Sequence, residues 1–122
     1  MTDDELVATF ERCTLPRSDW THRAHLRVAM RYLATCPRDE AARRMREGLR
    51  RYNAVRGAAR GYHETITMAW LAIVERGLRE HGPDGLVDKL ADPSLLQKHY
   101  SGETLRSDEA RHAWIPPDRE AL

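Results

Sequence analysis

The chain has 122 residues, a formal charge of +1, and hydrophobic and charged fractions of 41% and 32%. That length can bury a core without disulfide staples, and the near-neutral balance argues against a long-range pull on nucleic acid or anionic membrane. No stretch approaches the ~20 consecutive apolar residues of a membrane-spanning helix, so no association with a membrane is expected.

The start, MTDDELVATF, lacks the basic and apolar regions of a signal peptide, so a cytoplasmic location is expected, with Cys13 and Cys36 reduced. Helical periodicity runs through the chain and no alternating strand pattern stands out. Thr2 or Asp3 can cap a first helix carrying Leu6, Val7 and Phe10, which Leu15-Pro16 ends. Ser18, Asp19 or Thr21 can cap a second helix that runs to about Cys36 and stops at Pro37. Asp39 and Glu40 open a third, ending near Gly57; a fourth begins between Gly61 and Thr65 and stops after His81 at Gly82-Pro83. Beyond it, GLVDKLAD and PSLLQKHY read as short helices, Ser107 caps a last one, and Ile115-Pro116-Pro117 turns the tail extended. The expected fold class is all-α: a compact helical bundle of four main helices plus short C-terminal helices and an extended tail, with residues 1–122 as a single domain.

The histidines carry the functional signal. At roughly 100° per residue, His25, Leu26, Ala29 and Leu33 fall about 60° or less from His22, so two imidazoles one turn apart lie in an apolar stripe. His63 heads a similar stripe of Ile66, Thr67, Trp70 and Val74 on the fourth helix. If the second and fourth helices lie side by side in similar directions, the three rings meet. Three neutral imidazoles suit one transition-metal ion (iron, copper or zinc), with a position left open for water or substrate. Glu64 would be a ligand, an orienting group or a general base, and Thr67 would bind a metal-bound water. Trp20, Tyr62, Trp70, His99 and Tyr100 are candidates to line the substrate pocket. Cys36, about 21 Å along the helix from His22, is too far to share the ion.

Competing motifs fail. HETIT at 63–67 starts like the zincin motif but has Thr67 where the second histidine is required. Neither His25 nor His63 follows a glutamate by three residues, as a di-iron bundle needs. GAARG lacks the P-loop lysine and spacing, and Ser101 and Ser107 have no nucleophile-elbow context. Arg43, Arg44, Arg46, Arg50 and Arg51 give the third helix a basic face, for which a solvated surface is the simplest account. Lys89 and Lys98 are the chain's only lysines.

The segments WTHRAHL, GYHETIT and LLQKHYSGETLRSDEARHAWIPPD resemble a group of small uncharacterised bacterial helical proteins. The resemblance covers most of the chain and implies no particular activity. The expected function is a metal-dependent enzyme acting on a small molecule, an oxidoreductase or a hydrolase. Its rivals are a non-catalytic metal or small-ligand binding protein and a helical interaction module using the basic face. A homo-oligomer is compatible with all three.

Overall fold

A computed structural model describes residues 1–58 and 60–122, so within the GAARG segment Ala59 lies outside the described residues. All regular structure among the described residues is helical, and no helix is long and apolar enough to cross a membrane. The contacts group the chain into two units, Met1–Tyr62 and His63–Leu122.

The first unit holds α1 (Asp3–Glu11), α2 (His22–Thr35) and α3 (Arg38–Arg56), each packed against the other two. Local chemistry sets the helix starts. Thr2 and Glu5 form a reciprocal capping box on α1, and the Thr21 hydroxyl accepts from the Ala24 amide at 3.2 Å to cap α2. Their common core is built on Phe10, Leu15, Leu26, Met45 and Tyr52, all at most 1% exposed. Each such side chain contributes roughly 1.5–3 kcal/mol on burial. Phe10 stacks on Trp20 at 4.5 Å, and the Tyr52 hydroxyl donates to the Leu15 carbonyl at 2.8 Å, pinning the segment between α1 and α2. Arg27 and Arg31 reach Asp3 and Asp4, each at 2.8 Å, across the α1–α2 seam.

Because α2 is covered by both α1 and α3, its buried face is wider than the expected stripe. Ala24, Val28 and Tyr32 are buried along with Leu26 and Ala29. The middle of that face lies about 10° from His25 and about 70° from His22. His25 is therefore the more central of the pair.

In the second unit, α4 (Glu64–His81) packs against α7 (Asp108–His112), α7 against α6 (Gly102–Arg106), and α5 (Leu86–Lys89) against α4. The expected helix at PSLLQKHY is a 3-10 segment, Pro93–Lys98, capped by Asp92. The helix α6 was not anticipated. Ser107 explains its brevity: its hydroxyl donates to the Thr104 carbonyl at 2.7 Å and accepts from the Ala110 amide at 3.1 Å, closing α6 and opening α7. The extended tail is held down. Tyr100 donates to the Ile115 carbonyl at 2.6 Å, Asp118 accepts from the Ser101 amide at 2.9 Å and from the Thr104 hydroxyl at 3.0 Å, and the Arg119 and Glu120 amides donate to the His99 and Lys98 carbonyls.

Candidate functional site: the histidine-bearing helix starts

His22 is the first residue of α2, and His25 follows one turn later. Both are partly buried. The edge of the Trp20 ring meets the His25 imidazole at 5.7 Å and 90°, and Trp20 is itself wedged against Phe10 and Tyr52. Burial pushes the His25 pKa down to about 4, with the neighbouring His22 adding to the effect. At neutral pH the His25 ring is therefore uncharged, as a metal-ligating imidazole must be. A surface cavity of about 310 Å³ opens at the start of α2, lined by Leu15, Asp19, Thr21 and Ala24 among others, and neither histidine lines it.

His63, in the second unit, has a well-defined structural task. It is the N-cap of α4: its Nδ1 accepts from the Ile66 amide at 3.0 Å, while Nε2–H donates to the Leu105 carbonyl at 2.8 Å. The two bonds require the neutral Nε2–H tautomer and occupy both ring nitrogens. Desolvation, aided by the positive charge of Arg111, lowers the His63 pKa despite the opposing bond to Leu105. A metal at this ring would have to replace one of the two bonds. Among the described residues, no group of three or more His, Cys, Asp or Glu side chains is placed to hold a metal ion.

The other expected site residues are distributed as follows. Glu64 is the first residue of α4 and half-buried. Thr67 is buried and gives its hydroxyl proton to the His63 carbonyl at 2.7 Å, an intrahelical bond. Tyr62 lies under the Arg50 guanidinium at 4.9 Å, and Trp70 is buried in α4. His99 Nδ1–H donates to the Glu120 carbonyl at 2.8 Å. Tyr100 is fully buried, its pKa pushed up to about 12 by desolvation and the nearby Asp118. His99 and Tyr100 thus hold the tail.

Two residues that sequence reasoning passed over organise this unit. Thr65, 0% exposed, donates to the Ala113 carbonyl at 2.7 Å and accepts from the Ile115 amide at 3.1 Å. Asp118, its pKa held down to about 2 mainly by the bonds from Ser101, ties the tail to the start of α6. Pro116-Pro117 just before Asp118 was the available signal, since a stiff extended segment ending in a carboxylate is well suited to capping a distant backbone amide.

The basic face of α3 is largely engaged within its own unit. Arg43 faces Glu40 and Glu47, Arg44 lies over Tyr32, and Arg51 donates to the Glu11 carbonyl at 3.2 Å. Compared with known protein families, curated proteins and solved structures, the chain finds no match.

Proposed function

We propose that the protein binds a transition-metal ion through His22 and His25 and presents the open coordination positions to a small molecule. The observation that carries this reading is the placement of two imidazoles one helical turn apart, with His25 set against Trp20 and kept uncharged at neutral pH. Two imidazoles fill two of the four positions of a tetrahedral ion, leaving the rest for water, substrate or a further donor. Zinc and copper suit such nitrogen donors, as does iron. With a substrate in place, the ion would polarise it or activate water; without one, the same site is a metal-binding module. This reading rests on the first unit alone and leaves His63 to cap α4.

Titration calorimetry with zinc, copper(II) and iron(II) on untagged protein tests it. The parent should take up one equivalent of at least one ion. His22→Ala and His25→Ala should each weaken uptake at least tenfold while retaining the helical circular dichroism of the parent, and His63→Asn should leave it unchanged. A parent that resists loading, or alanine variants that load as well as the parent, would remove the reading.

A further inference from the structure

Apart from the histidine pair, the second unit carries a groove of about 330 Å³ lined by the C-terminal half of α4, α5, the 3-10 segment and Leu122. That volume lies at the lower end of the range for small-molecule sites, roughly 300–1,000 Å³. Its apolar wall is Ile73, Leu90, Leu95 and Leu122, each only half-buried, with fully buried Leu86 beneath. The polar groups around it are predominantly basic. Arg76, Lys89 and Lys98 line the groove with His81 and His99, against one acidic lining side chain, Glu80. That carboxylate is already held by Arg76 at 2.9 Å, and Glu120 also lies close enough to act on Arg76. In a chain whose other cationic side chains are all arginines, the only two lysines both fall on this groove.

We infer that this groove binds a medium-chain alkyl carboxylate, with its tail along Ile73, Leu90 and Leu95 and its head at the ammonium groups of Lys89 and Lys98. Half-exposed apolar side chains on a concave wall favour a hydrocarbon chain, and unbalanced ammonium groups select an anionic head over a neutral one. The inference is independent of metal binding at α2.

Calorimetry on the full chain, with decanoate below its micelle concentration and decanol as the neutral control, provides the test. Decanoate should bind saturably at one equivalent and weaken as salt is raised. A Lys89→Gln, Lys98→Gln double variant should lose about tenfold in decanoate affinity, as expected of two exposed ion pairs, with decanol little affected. Leu95→Gln should weaken both ligands. Four results would overturn the inference: no decanoate binding, equal affinity in the lysine variant, decanol binding as tightly as decanoate, or decanoate binding only after Leu122 is deleted. The last would assign the groove to the Leu122 side chain.

Discussion

Gly48 lies inside α3, where alanine ordinarily favours a helix by about 1 kcal/mol. A Cβ at this position would come within 2.7 Å of Phe10 Cε2, and Phe10 is fixed by its stack on Trp20. The steric effect should win. Gly48→Ala is expected to lower stability by up to about 2 kcal/mol, the ~1–3 kcal/mol of overpacking less the ~1 kcal/mol of helix propensity, read from the urea midpoint. His63 makes the complementary case, in which one ring serves two backbone groups. His63→Ala should cost about 1–3 kcal/mol, whereas His63→Asn should recover the capping part and lose only the bond to Leu105. The pH dependence has a definite sign. The folded pKa of His63 lies below its ordinary 6.5, so folding favours the neutral ring. That contribution is complete above about pH 6.5 and is lost as pH falls toward the folded pKa. Between pH 7.5 and 5.5 the parent should therefore lose more stability than His63→Asn. Equal losses would separate His63 from acid sensitivity.

Among elements, one buried hydroxyl, that of Thr65, joins α4 to the end of α7 and the start of the tail. Thr65→Val keeps the shape but removes the donor to Ala113 and the acceptor for Ile115. A loss of about 1–3 kcal/mol is expected, with faster hydrogen exchange at the Ile115 amide. The helix boundaries in the first unit, the start of α7 and the end of α4 were readable in the sequence because their causes are local: Thr2, Thr21 and Ser107 cap within three residues, and Gly82 ends α4 at φ +75°. The helix α6 escaped notice because its sequence is short and carries no apolar period. It forms where Ser101 caps it, Ser107 stops it and Asp118 binds its start. The 3-10 geometry of Pro93–Lys98 escaped for a related reason: so short a segment takes whichever helical form its caps and packing select.

For the molecule as a whole, charge is the accessible observable. A formal charge of +1, with arginines of α3 engaged by Glu40, Glu47, Tyr32 and the Glu11 carbonyl, gives the chain no strong long-range pull toward a polyanion. Duplex DNA at physiological ionic strength should show no saturable binding by fluorescence anisotropy, and a steep salt dependence would contradict this account.

Helical class, most helix limits and the His22/His25 pair follow from the sequence by itself, since capping and i,i+3 adjacency are properties of a few consecutive residues. The role of His63 does not. One of its partners, the Leu105 carbonyl, is 42 residues away, and only tertiary packing brings a backbone oxygen to a ring nitrogen across that separation. The gathering of Lys89, Lys98 and half-exposed leucines into one groove was decided in the same way, by which short helical segments fold back onto α4.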